Sequence, residues 1–146
     1  MAQFNTLLLA VDLSPISESL LRRVQQMCGD DMDRLSVIHV LTYGMHDPEF
    51  AVSQSPSDAH AQRMRDHKAL QLRELLQRFG LFIPSERIYL KFGEPACEIK
   101  KLADQIDADL VIVGSHTKES DWMQLPGATT NCVIQGISSD VMAVKV

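Results

Sequence analysis

Asn5–Val11 reads NTLLLAV, and Asp12-Leu13-Ser14-Pro15 follows at once. A short continuous apolar run of this kind is the form of a strand covered on both faces. Ser14 is suited to cap a helix and Pro15 to occupy its first position, where a missing N–H costs nothing. The helix then carries Ile16, Leu20, Val24 and Met27/Cys28 as an apolar stripe at helical spacing and stops at Gly29.

The remainder repeats that alternation. Arg34–Thr42 (RLSVIHVLT) reads as a second buried strand, and Tyr43 to Ser57, with Gly44, Pro48 and Pro56, as a surface excursion. Asp58–Phe79 reads as a long helix with Ala69, Leu72, Leu75, Leu76 and Phe79 as its apolar positions, closed by Gly80. Arg87–Phe92 is the third strand, and Gly93-Glu94-Pro95 leads into a helix with Ile99, Leu102, Ala103 and Ile106 on one face. Asp109–Gly114 (DLVIVG) is the fourth and clearest strand. A polar loop, Ser115–Pro126, precedes a short helix at about Thr129–Ile137, and Asp140–Val146 is the last strand. Strands alternating with helices predict an α/β protein, a single doubly wound, Rossmann-like sandwich of parallel strands with helices on both faces. Ligands of such folds sit beyond the carboxyl ends of the strands, which directs attention to the residues after strands one, two and four.

With 146 residues the chain is the size of one domain, residues 1–146, and needs neither disulfide nor metal to complete its core. Apolar residues at 45% and charged residues at 23% are ordinary for a globular protein. Lys and Arg number 14 against 19 Asp and Glu, a net charge of −5 with no basic run, so neither nucleic acid nor an anionic membrane is an expected partner. No apolar segment is long enough to span a bilayer, and Met1 to Val11 lacks the pattern of a secretory signal. Cys28, Cys97 and Cys132 are odd in number and form no Cys-x-x-Cys pair, which suits a reducing compartment. A cytoplasmic protein without a metal is the expectation.

At the strand ends stand Asp12, then His39-Val40-Leu41, then Gly114-Ser115-His116-Thr117. Asp12 can accept hydrogen bonds from ribose hydroxyls or an adenine amino group; it can equally help to cap the helix that begins nearby. Five segments in order (LLLAVDLSP, SVIHV, GEPACEI, ADLVIVGSH and SSDVMAVKV) resemble the universal stress proteins over essentially the whole chain. That resemblance implies five strands in the order 3-2-1-4-5, a cytoplasmic role in stress response and a homodimer. It further implies that Val11 and Asp12 lie beside the adenosine of a bound nucleotide, with Val40 against the base and Val113 next to Gly114.

Members of that family that bind ATP carry Gly-x-x-Gly after the fourth strand, a loop as long as Lys118–Pro126, and then Gly followed by Ser, Thr or Asn. Such glycines let a backbone approach phosphates closely, and the next helix start offers N–H groups to them. Here Gly114 and Gly127 match, Thr117 stands at the second glycine, and Ala128 replaces the hydroxyl residue; Thr129 and Thr130 follow. Glu119 and Asp121 oppose a single Lys118 in that loop, so a triphosphate would meet net repulsion. Asp121-Trp122-Met123 resembles the aromatic loop of the stress protein A subtype, which lacks the phosphate motif; Trp122 by itself reads as hydrophobic cover.

Other groupings are weaker. Ser14, His39 and Asp12 lack a nucleophile elbow and read as a cap and a strand histidine. His60 and His67, with Met64 between them, lack the closer spacing of a zinc helix, and His116 reads as a solvent-facing loop residue. Cys97, near a helix start, is expected to be a small buried hydrophobe, with a redox thiolate as the alternative. Arg63, Arg65, Lys68, Arg73 and Arg78 read as a solvated helix face.

Two functions compete. The first is a non-enzymatic homodimer acting through protein contacts in stress, requiring no cofactor. The second is a switch that binds ATP or AMP through Asp12, Val40, Gly114, Gly127, Thr129 and Thr130. In the implied strand order Asp140–Val146 is an apolar edge, with Val141, Met142, Ala143, Val144 and Val146 against one Lys145. Such an edge must be covered, and a two-fold pairing with its own copy closes it. Val144→Lys is expected to weaken that pairing.

Overall fold

The computed structural model describes residues 4–13, 17–29, 32–41, 58–115 and 136–145. Its elements are β1 (Leu7–Ala10), α1 (Ser17–Cys28), β2 (Leu35–Leu41), α2 (Asp58–Arg78), β3 (Ile88–Phe92), α3 (Pro95–Gln105), β4 (Leu110–Ser115) and β5 (Asp140–Lys145), with one 3-10 turn at Ser85–Arg87. The strands form one sheet in the order β3-β2-β1-β4-β5, and every pair is parallel.

Side-chain alternation along the strands supplies two cores. Leu9, Val37 and Ile112 point to the face where α1 delivers Leu20, Leu21 and Val24 and α2 delivers Leu72, Leu75 and Leu76. Leu8, Ile38 and Val111 point to the other face, against Ile99, Leu102 and Ala103 of α3. The helices therefore bury most of the stripes that their apolar spacing predicted, but Met27 of α1 is 42% exposed and Ile16 lies outside the described residues. Gly29 and Gly80 end α1 and α2 at φ 58 and 76, the left-handed conformation that glycine adopts without strain.

Differences from the sequence reading are local. β1 covers only Leu7–Ala10 and stops short of Val11, for a reason that lies in the site. Ile137 follows a turn at Gly136, with φ 77, and is not helical; the rest of Thr129–Ile137, like Ser14 and Pro15, lies outside the described residues. Cys97 is exposed rather than buried. Val144 is 9% exposed and packs in the α1–α2 core. A lysine there would disrupt the fold, so Val144→Lys tests the core and not the edge. Val146 lies outside the described residues.

Candidate functional site

The strand order reverses at β1, which has β2 on one side and β4 on the other. Beyond the carboxyl ends of these three strands lies the crevice where a doubly wound sheet admits ligands. Five expected site residues are brought together here. Val11 and Val113 are each 3% exposed and commit their side chains to opposite cores, so only their main chains can meet a ligand. Val40 is half-buried on the α3 side. Gly114 continues β4 beside Val144 and contributes no side chain. Asp12 is exposed just past β1. Thr117, Gly127, Ala128, Thr129 and Thr130, with His116 and Trp122, lie outside the described residues.

Asp12 Oδ1 accepts from the Ser17 hydroxyl at 2.6 Å, which ties the end of β1 to the first turn of α1. A carboxylate near that turn also faces the positive end of the helix dipole. Asp12 thus braces the start of α1 through a side chain, and its exposed carboxylate is of a kind that accepts from hydroxyl donors. Leu13 follows with φ 61, a strained conformation for a residue with a Cβ, and packs against the α1–α2 core.

His39 contributes what spacing alone did not reveal. Its ring is buried, 7% exposed, and Nδ1 lies 2.7 Å from the Val11 carbonyl oxygen. A carbonyl only accepts, so Nδ1 carries the proton and donates. Burial is the main influence on the ring and lowers its pKa below the usual 6.5; the Val11 hydrogen bond opposes that shift, Lys68 on α2 adds to it, and Asp12 opposes it. The imidazole is therefore neutral at pH 7. A histidine inside the apolar run VIHVL was the available signal, since a buried ring must find a hydrogen-bond partner.

The start of α3 is built differently. Glu94 caps it, its carboxylate accepting from Ala96 N–H at 3.2 Å and Cys97 N–H at 2.8 Å. Those bonds, that to Cys97 first, hold the Glu94 carboxyl below its ordinary range. The same carboxylate takes a hydrogen bond from the Cys97 thiol and pushes its pKa up. The helix dipole does not yield a thiolate here, because a full negative charge sits closer than the dipole. On α2, Arg63, Arg65, Arg73 and Arg78 are exposed, as is His67; Lys68 is partly buried, and the His60 side chain lies outside the described residues. Arg65 lies over Phe92 at 4.9 Å and Arg73 donates to Ser85, so part of this face is anchored to neighbouring segments. Among the described residues no cluster of three His, Cys, Asp or Glu suits a metal ion, and no helix is long and apolar enough to cross a membrane.

Residues 3–145 match the sequence pattern that defines the universal stress protein family. The chain belongs to that family. It is 26% identical over 144 residues to universal stress protein A homolog 1 of Coxiella burnetii, covering 97% of this chain and 96% of that relative. Its fold is similar to that of a universal stress protein solved in complex with cAMP, with a TM-score of 0.63 and 19% identity over 97% of each chain. A universal stress protein from Archaeoglobus fulgidus, solved in complex with dAMP, gives a TM-score of 0.59 at 17% identity over 96% of this chain and 97% of that one. At such identities the two structures establish the shared Rossmann-like fold. The expectation drawn from the five sequence segments is thereby borne out for family and fold.

Proposed function

We propose that this universal stress protein is a non-enzymatic, cytoplasmic stress-response protein that takes an adenosine monophosphate in the crevice beyond β1, β2 and β4. The observation that carries the reading is Asp12, an exposed carboxylate at the switch point of the sheet that already accepts from a hydroxyl at 2.6 Å. A ribose offers the same chemistry. Two similar folds are complexes with adenine nucleotides bearing a single phosphate, which fits a chain whose polyphosphate motif is broken at Thr117 and Ala128 and opposed by Glu119 and Asp121. The cytoplasmic setting rests on the family and on cysteines without a pairing pattern. The non-enzymatic reading rests on the family and on a sequence that carries no nucleophile elbow around Ser14.

Calorimetry with AMP, cAMP and ATP–Mg, together with analysis of nucleotide released on denaturation, tests this. AMP or cAMP should bind, and ATP–Mg no more tightly. Absence of heat with all three and of any released nucleotide would leave protein contacts as the sole function. Tighter binding of ATP–Mg would overturn the restriction to one phosphate.

In this reading the protein works as a homodimer through β5. Asp140 N–H donates to Asp109 O on the β4 side, so the alternating amides of Val141, Ala143 and Lys145 point to the outer edge. Ala143 is exposed at the middle of that edge. Ala143→Pro removes one outward N–H at a position where a folded edge strand tolerates proline. Light scattering should show the wild type as a dimer and the variant shifted toward monomer; a monomeric wild type rejects the dimer.

A further inference from the structure

The β1–β2 ladder runs from Leu7↔Leu35 to Ala10↔Ile38 and ends there. One more bond follows, from Val11 N–H to Ile38 O at 2.9 Å. In a continuing parallel ladder the Val11 carbonyl would next accept from Val40 N–H. It accepts instead from His39 Nδ1–H at 2.7 Å. The side chain of one β2 residue thus takes the acceptor that belongs to the amide of the next.

The direction of the displaced amide follows from strand alternation. Ile38 O faces β1, whereas Leu41 O accepts from Gly93 N–H at 3.0 Å on the β3 side. Val40, two residues after Ile38, therefore turns its main chain toward β1, into the gap where the two strands part. That gap opens into the crevice beside Asp12.

We infer that His39 is a positioning residue of the crevice: by holding the Val11 carbonyl it ends the β1–β2 ladder one rung early and keeps the Val40 N–H directed at a ligand's acceptor atom. The consequence for ligand binding rests on the adenosine monophosphate reading above; the effect on the ladder does not. His39→Leu releases the Val11 carbonyl, and the nearest donor in register is Val40 N–H, so the missing rung forms. His39→Asn places an amide N–H where Nδ1 stood and restores the interruption.

The test uses the full-length chain and NMR, with AMP as the probe. In the ligand-free wild type the ring should be the Nδ1–H tautomer, with a through-bond coupling to the Val11 carbonyl. Exchange of the Val40 amide should be slowed about tenfold or more in His39→Leu and stay near wild type in His39→Asn. Affinity for AMP should fall about tenfold in His39→Leu, the scale of one hydrogen bond, and recover in His39→Asn. An Nε2–H tautomer in the wild type overturns the inference even if neither variant folds. So does equal protection of Val40 in wild type and His39→Leu, or unchanged AMP affinity in His39→Leu. If Val40 responds as stated while AMP fails to bind the wild type, the proposed function falls and the role of His39 in the ladder stands.

Discussion

The two ends of the sheet are built on opposite principles. At the amino end, side chains bridge the starts of successive strands. Arg34 donates to Phe4 O at 3.3 Å, Arg87 to Met32 O at 2.8 Å and Ser139 to Ala108 O at 2.5 Å. Asn5 N–H donates to Asp109 Oδ2 at 2.5 Å. Each of the five strands is reached by at least one of these bonds, which take up main-chain groups lying outside the ladder. At the carboxyl end two described side chains act differently: His39 diverts an acceptor from the ladder, and Asp12 braces α1 through Ser17 while its carboxylate stays exposed. One end ties the starts of neighbouring strands to one another, and the other takes an acceptor out of the ladder where β1 and β2 part. The difference assigns cohesion to the first end, and the second is the one that the proposed nucleotide binding uses.

The comparison can be broken first in the core. Leu110, at the amino end of β4 and 4% exposed, should cost about 3 kcal/mol when replaced by alanine, the usual scale for a buried leucine. Denaturant unfolding measures the loss, and AMP affinity of the folded fraction should not change. A coupled fall in affinity would show that the two ends are not separate. Next in size is Arg87→Met, which keeps the stem and removes a charged donor from a partly buried carbonyl. It should lower stability by about 1.5–2 kcal/mol, again without effect on AMP.

Acid should sharpen the contrast from the other end. The unfolded chain binds a proton at His39 near pH 6.5, whereas the folded ring, desolvated by burial, resists it. Its contribution is therefore full above pH 6.5 and is lost as pH falls below 6.5 toward the lowered folded value. Glu94 acts in a separate window: its capping stability is full above its ordinary 4.5 and is lost as pH falls below that. Denaturation midpoints between pH 7 and pH 5 should fall for the wild type and stay flatter for His39→Asn. The effect is smallest near pH 6.5 and grows as acid is added. Parallel pH profiles in the two proteins would contradict the neutral, buried ring.

Much of this architecture was legible beforehand. The apolar runs at LLLA, SVIHV and LVIVG are strands, and the stripes through Leu20 and Val24, Leu72 to Leu76, and Ile99 to Ala103 are the buried helix faces. The crevice was placed by topology, and Asp12, Val40 and Gly114 lie beside it. Less was legible where a residue's fate depends on which polar partner its side chain finds, even one only three residues away. Cys97 looked like a buried hydrophobe, yet the carboxylate of Glu94 holds its thiol at the surface. Glutamate is not a common helix cap, so this one carried little signal in the sequence.

The sequence by itself determined which segments are strands and helices and which of their faces are buried. Those properties are local: apolar periodicity and punctuation by Gly and Pro act over a few residues. The tertiary structure alone decided where the polar groups find their partners. His39 reaches Val11, Arg87 reaches Met32 and Asn5 reaches Asp109, across separations of 28, 55 and 104 residues. A hydrogen bond needs its partner at a fixed distance and angle, and only the packed sheet brings such distant groups within that range.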